Sequence, residues 1–234
     1  VTGAGYRPQG EFLEGGVPVS DHAALDRLLR AAALGSDAYL VHHEDEDRWR
    51  VKGDPTEGAL VVAAAKAGMR KLDLDDRFPR LEEIPFSSES KRMTTLHQMA
   101  EGPVAIVKGA PEVVLDACAL RQSKDGDRVL DPDGRRGILE AAGRMAAQAM
   151  RVLAVADKPD TDCLDQAQGG LTFLGLVGMI DPPRPEASEA IRTCEAAGIR
   201  VLMMTGDHPA TAEAVARELG LLKNGRVVTG EQLE

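Results

Sequence analysis

Phe86 and Lys91 lie five residues apart in the stretch Glu83-Ile84-Pro85-Phe86-Ser87-Ser88-Glu89-Ser90-Lys91-Arg92-Met93-Thr94-Thr95-Leu96. An aromatic face can take a flat heterocyclic base, and an ammonium can take a phosphate. Two further residues suit the same chemistry. Lys108 stands at the end of an apolar run, just before Gly109-Ala110-Pro111-Glu112, where the glycine permits a close backbone approach and a helix would open. Glu57, in Lys52-Gly53-Asp54-Pro55-Thr56-Glu57-Gly58, could accept from an exocyclic amine. Each residue also has a plain structural role. Phe86 could fill a core, Lys91 could be solvated, and Glu57 could complete a capping box with Asp54. Arg151, between a helix and a strand, is either an exposed charge or a phosphate contact. Thr205 could donate to a phosphoryl oxygen and Gly206 could present its amide, whereas Asp207 could be only a helix cap.

The elements that must position these residues follow from local pattern. Pro85 has no donor and a fixed φ, so it ends a strand, and Ser87–Lys91 reads as a turn. Leu81–Phe86, Arg92–Met99 and Val104–Val107 are strand candidates whose short connections favour antiparallel pairing. Asp54 caps and Pro55 opens a helix running to Gly68. Asp21 can cap a helix carrying Leu25, Leu28, Leu29 and Ala32. Gly137–Arg151 predicts a helix with Ile138, Ala142, Met145 and Met150 inward, followed by a strand at Val152–Ala156. Leu171–Ile180 predicts another strand. Beyond Asp181-Pro182-Pro183-Arg184-Pro185 the pattern changes, and a domain boundary is expected there. Glu186–Ala197 predicts a helix, Ile199–Met204 a buried parallel strand, Pro209–Leu219 a helix and Val227–Thr229 a short strand. This strand–loop–helix order is that of an α/β domain, whose ligands bind at the carboxyl ends of strands.

Composition narrows the classes. The chain has 234 residues, 43 % hydrophobic and 28 % charged, a soluble globular balance long enough for one or two cored domains. A net charge of -10 disfavours nucleic acid as a partner. No apolar run is long enough to span a membrane. The start Val-Thr-Gly-Ala-Gly, without Met, reads as the interior of a longer polypeptide. Cys118, Cys163 and Cys194 have no metal-ligand spacing and read as reduced thiols. His42-His43 precedes the acidic run Glu44–Asp47, which reads as a solvated loop rather than a metal site. No Walker A lysine motif, GxGxxG or nucleophile elbow occurs.

Six stretches, in order and at the expected spacing, resemble the cytosolic part of P-type cation-transporting ATPases; they lean toward the calcium-pump-like branch, and sodium, potassium, proton and magnesium pumps share enough of these motifs to stay open. They are KGDPTEGAL at 52–60, PFSSESKRMTTL at 85–96, VKGAPEVVL at 107–115, MRVLAVA at 150–156, GMIDPPRPE at 178–186 and MMTGDHPATA at 203–212. The resemblance implies an α/β (α+β) fold. Residues 1–180 would be the nucleotide-binding domain, an antiparallel twisted sheet flanked by helices. Residues 181–234 would be part of a haloacid-dehalogenase-like, Rossmann-type phosphorylation domain, entered through the hinge Asp181–Arg184.

By the same resemblance Phe86 would stack on adenine, Glu57 would read its amino group and Met93 would pack beside it. Lys91, Lys108 and Gly109 would line the pocket, and Arg151 would reach the phosphates. Thr205, Gly206 and Asp207 would contact the phosphate on a phosphorylated aspartate. ATP, with magnesium on its phosphates, would be the ligand. The partners would be the rest of the same polypeptide, namely the phosphorylation, actuator and transmembrane parts, at the cytoplasmic face of a membrane. The sequence departs from the family pattern in lacking DKTGT with its nucleophile, GDGxND and the actuator motif; Thr229-Gly230-Glu231 has the wrong context for the last. Ser88 stands where some relatives carry a basic residue. ATP binding without turnover is the expectation. The alternatives are a stand-alone non-catalytic nucleotide-binding module and a haloacid-dehalogenase-like phosphatase.

Overall fold

Asp54 begins the best-defined helix of the chain. Its carboxylate accepts from the Thr56 amide at 2.8 Å and from the Glu57 amide at 3.3 Å. Pro55 supplies a fixed φ at the first helical position, and the helix, α2, runs Pro55–Lys66. Gly58 is required for its packing: a Cβ there would come within 2.5 Å of the Val51 side chain. These observations come from a computed structural model, which describes residues 1–3, 5–19, 23–43, 48–148, 150–180, 185–205, 209–222, 227–228 and 232. Asp21, the run 44–47, the connector 181–184 and Gly206-Asp207 lie outside the described residues.

Two compact units are present, one of Val1–Gly137 with Leu153–Val177, the other of Ile138–Val152 with Gly178–Glu234. The first opens with a short hairpin, β1 Leu13–Glu14 and β2 Val17–Pro18. Helix α1 (Ala23–Leu34) follows, then a second hairpin of β3 (Tyr39–His43) and β4 (Arg48–Lys52), α2, and a further short helix α3 (Lys71–Arg77). Three strands then form a meander: β5 Arg80–Ile84, β6 Arg92–Met99 and β7 Gly102–Gly109. This antiparallel set agrees with the strand pattern of the sequence. Helix α4 (Pro111–Asp116) follows, and the hairpin β8 (Cys118–Arg121) and β9 (Arg128–Val129) with β10 (Arg151–Pro159) and β11 (Leu171–Met179) complete a seven-stranded sheet of order β5-β6-β7-β10-β11-β8-β9. Helix α5 (Pro132–Ala146), between β9 and β10 in the chain, belongs mostly to the second unit. One pairing departs from the antiparallel expectation, because β11 runs parallel to β8. Helix α5 starts five residues before the expected Gly137, because Asp131 accepts from the Gly134 amide at 2.6 Å and Pro132 opens the first turn.

Side chains on β6 and β7 alternate between two buried faces, since successive residues of a strand project oppositely. Leu96 and Ala105 form one cluster with Leu164 and Ala167 of the 3-10 helix Leu164–Gln168. On the other face a Cβ at Gly35, just past α1, would lie 3.2 Å from Ile106 and 3.8 Å from Thr95. Here Arg27 of α1 holds Asp157 of β10 through two hydrogen bonds of 2.9 and 2.7 Å and Asp127 through one of 2.8 Å. Leu34, Leu60, Leu96, Ile106 and Leu171 are fully buried, each contributing about 1.5–3 kcal/mol of transfer free energy.

In the second unit α6 spans Pro185–Ala196 and α7 Pro209–Glu218. The expectation of a buried parallel strand at Ile199–Met204 is not met. The segment is not a strand, and Leu202 and Met204 are 79 % and 95 % exposed. A strand exists only where neighbours take its amides and carbonyls, and among the described residues none pairs with this segment. Val227 and Val228 likewise form no strand. On α6 Ile191 is buried, Cys194 is half-buried and Ala190 is exposed.

Candidate functional site

The β5 carboxyl end, the β6 amino end and the β7 carboxyl end coincide, because the three strands are antiparallel. Met93 and Lys108 are paired residues of β6 and β7 and therefore share a face. Met93 is buried. Lys108 is only 6 % exposed, and its ammonium forms an ion pair with Oε1 of Glu57. It also reaches the Ser36 hydroxyl at 3.5 Å. Burial pushes the Lys108 pKa below its usual value, and Glu57 opposes that shift. Oε2 of Glu57 accepts from the Asp37 amide at 2.7 Å. Glu57 thus closes an ion pair with a strand residue, beyond what its place in a capping pattern requires.

Phe86 follows β5 and is 61 % exposed, so the aromatic does not fill the core. The loop after it is a closed turn. The Ser90 amide donates to the Ser87 hydroxyl at 3.0 Å, and the Lys91 amide to the Ser87 carbonyl at 2.8 Å. Lys91 takes the left-handed conformation, φ 50°, which non-glycine residues adopt at a cost. Its carbonyl accepts from the Ala110 amide at 3.0 Å. Gly109 makes this approach possible: a Cβ there would strike the Lys91 carbonyl and lie 2.8 Å from the Arg92 Cα. A chain of backbone bonds therefore fixes Phe86, Lys91, Gly109 and Lys108 at one end of the sheet, with Met93 and Glu57 beside them. Lys91 stays exposed, while Lys108 is already paired with a carboxylate.

Arg151 is exposed at the start of β10 and belongs to the second unit, as does the exposed Thr205. Gly206 and Asp207 fall outside the described residues. A cavity of 690 Å³ bounded by Arg92, Glu112, Asp116, Gln168 and Gly170 is not part of this site, because Arg92 and Met93 are adjacent on β6 and project to opposite faces. Among the described residues no group of three or more His, Cys, Asp or Glu is arranged to hold a metal. No helix of the described residues is long and apolar enough to cross a membrane.

Three residues absent from the sequence reading complete the surroundings: Ser36, Asp37 and Arg80. Arg80 donates to Asp37 Oδ1 at 2.6 Å and to Glu83 Oε2 at 2.5 Å, and to the Leu34 and Ser36 carbonyls at 3.0 and 3.1 Å. Burial works against its cation, but the two carboxylates outweigh it and raise its pKa. Contacts to carbonyls distant in sequence leave no linear pattern from which Arg80 could have been picked out.

A family model described as P-type ATPase, cytoplasmic domain N, matches residues 24–186. Over its full length the chain is 42 % identical, across 246 aligned residues, to the probable cation-transporting ATPase F of Mycobacterium tuberculosis, of which it covers 27 %. It is 40 % identical across 242 residues to a calcium-transporting ATPase of Bacillus subtilis, covering 27 % of it. It is 37 % identical across 241 residues to the calcium-transporting ATPase type 2C member 1 of Homo sapiens, covering 25 % of it. The chain spans about a quarter of the length of these curated relatives.

Proposed function

The chain belongs to the P-type ATPases, and from that premise we propose that residues 1–180 bind ATP and present it to an acceptor aspartate elsewhere in the same polypeptide. The single observation that carries the reading is the Glu57–Lys108 ion pair at the end of the sheet that also holds the exposed Phe86. Phe86 offers a stacking face, worth about 1–3 kcal/mol per base. Glu57, as a carboxylate, is an acceptor with about four lone-pair sites. Lys108 and the Asp37 amide occupy two of them, which leaves room for the amino group of adenine. Guanine presents a carbonyl at that position and would meet a like acceptor. Lys91 keeps a solvent-facing ammonium for the phosphates.

Residues 181–234 are proposed as the start of a phosphorylation domain. Thr205, Gly206 and Asp207 would contact the phosphoryl group, and Arg151 the nucleotide phosphates. Attack by a carboxylate on the γ-phosphorus breaks its bond to the oxygen bridging to the β-phosphorus, giving an acyl phosphate and releasing ADP. Magnesium would arrive on the nucleotide, since the described residues of this chain do not fit a metal site. The work driven would be cation transport, with calcium as the cation, at the cytoplasmic face of a membrane.

The test is an amide and side-chain shift map of the 234-residue chain with ATP and with GTP. Shifts concentrated at Glu57, Phe86, Lys91 and Lys108, larger for ATP and saturating in the high-micromolar to millimolar range, are expected. Equal responses to both nucleotides, or none at these residues, would sink the pocket. Steady ATP hydrolysis by the purified chain would refute the separation of base binding from the acceptor aspartate.

A further inference from the structure

We infer that Arg80 is a positioning residue for base recognition: it fixes the Leu34–Asp37 segment and, through the Asp37 amide, aims the Glu57 carboxylate. The inference rests on the ATP-binding reading above and deepens it. Arg80 opens β5 and its side chain is 22 % exposed. Three of its four acceptors, the Leu34 carbonyl, the Ser36 carbonyl and the Asp37 carboxylate, belong to the last residue of α1 and the link from it to β3. The fourth, Glu83, lies on β5 itself. The guanidinium fork therefore ties one short linker to the edge strand of the meander.

That linker touches both members of the ion pair. The Asp37 amide donates to Glu57 Oε2 at 2.7 Å, and the Ser36 hydroxyl lies 3.5 Å from the Lys108 ammonium while donating to the Ala32 carbonyl at 2.8 Å. With Oε1 held by Lys108 and Oε2 by Asp37, the carboxylate plane has one orientation. Without the fork, Asp37 is free to turn, and its own carboxylate stands uncompensated near Glu57. The Glu57 carboxylate would then be held on the Lys108 side alone, and its lone pairs would no longer be aimed at one place. Lysine is a poor substitute, because one ammonium cannot span two carbonyls and a carboxylate as a planar fork does.

Four forms of the 234-residue chain test this: the parent, Arg80→Ala, Arg80→Lys and Glu83→Ala. Thermal melting reports the fold, the amide spectrum without nucleotide reports the Asp37 hydrogen bond, and calorimetry gives the affinities for ATP and GTP. In Arg80→Ala the Asp37 amide should move upfield and exchange faster. ATP affinity should fall about tenfold, the scale of one charge-assisted hydrogen bond. GTP affinity should change little, so the ATP-to-GTP ratio falls. Arg80→Lys should fall between the parent and Arg80→Ala, and Glu83→Ala should keep the parental ratio. An unmoved Asp37 amide overturns the positioning role whatever the nucleotide result. A moved amide with ATP and GTP weakened in parallel assigns Arg80 to the fold alone and also overturns it. A parent that does not distinguish ATP from GTP removes the base-pocket reading itself, an outcome separable from the other two.

Discussion

The Lys108 ammonium and the Glu57 carboxylate meet across 51 positions of sequence, the side chain of the first 7 % exposed and that of the second 16 %. A pair so placed has been taken out of water, and removing one partner leaves the other uncompensated. Lys108→Met and Glu57→Gln should each destabilise the chain by about 3–5 kcal/mol. The double variant should be milder than the sum by about 0.5–3 kcal/mol, since the cycle isolates the shared term. Urea unfolding of the four forms measures this, and additive losses would mean that the two groups do not interact in solution. Because the ammonium is buried, loss of ATP affinity in the Lys108 variant should depend little on salt.

Phe86 gives the opposite separation. It is exposed, so little apolar burial is lost on truncation, and Phe86→Ala should leave the melting temperature nearly unchanged. ATP binding should weaken by about 1–3 kcal/mol, the loss of one stacking platform. Calorimetry and a thermal melt on the same sample decide it. Unchanged affinity would mean that the ring does not meet the base.

The part of the molecule that local chemistry controls could be read in the sequence. Asp54 with Pro55 announced α2, and Pro85 with the serine turn separated β5 from β6. The meander followed because its connections are too short for anything but antiparallel pairing. What depended on distant partners was not legible. The parallel pairing of β11 with β8 is a long-range choice. The early start of α5 is different, a local signal in Asp131 and Pro132 that the expectation of Gly137 passed over. Ile199–Met204 is not a strand for a related reason: an apolar run specifies burial only where strands pair with it, and among the described residues none does. Within the site, Glu57, Phe86, Lys91 and Lys108 stood out by residue type and spacing. Arg80 and Asp37, 43 positions apart, did not, because only the fold brings the guanidinium to that carboxylate and to the Leu34 and Ser36 carbonyls.

Lys91 combines an exposed charge with a left-handed backbone. For an L-residue that conformation costs roughly 1–2 kcal/mol, which glycine avoids. Lys91→Gly should therefore be no less stable than the parent, and by up to about 1 kcal/mol more stable. Lys91→Met should match the parent in stability. Both should bind ATP more weakly, with the deficit shrinking as salt rises, since an exposed ammonium is screened. Chemical denaturation and nucleotide titration at two ionic strengths test the pair. A destabilised glycine variant would show that the left-handed turn does not persist in solution.

His97 carries the clearest pH dependence of the fold. Its ring is fully buried, with Nδ1 3.1 Å from the Phe78 carbonyl and Nε2 3.0 Å from the Thr95 hydroxyl. The first contact requires a proton on Nδ1; with its pKa pushed down to about 4 the ring is neutral at pH 7, and Nε2 then accepts from the Thr95 hydroxyl. Burial lowers its pKa from 6.5 to about 4; the Arg80 and Lys71 cations add to the shift, and the Phe78 carbonyl and Asp75 oppose it. Between these two values the unfolded chain binds a proton that the folded chain does not, so this contribution to stability is complete above pH 6.5 and is lost as pH falls toward 4. At about 1.4 kcal/mol per pH unit the full loss is about 3 kcal/mol. Denaturation across this pH window should show the decline, and His97→Gln should flatten it even if that variant is less stable at neutral pH. Imidazole nitrogen shifts should hold the neutral tautomer down to about pH 4. A ring that titrates near 6.5 would show that the folded chain hydrates this histidine.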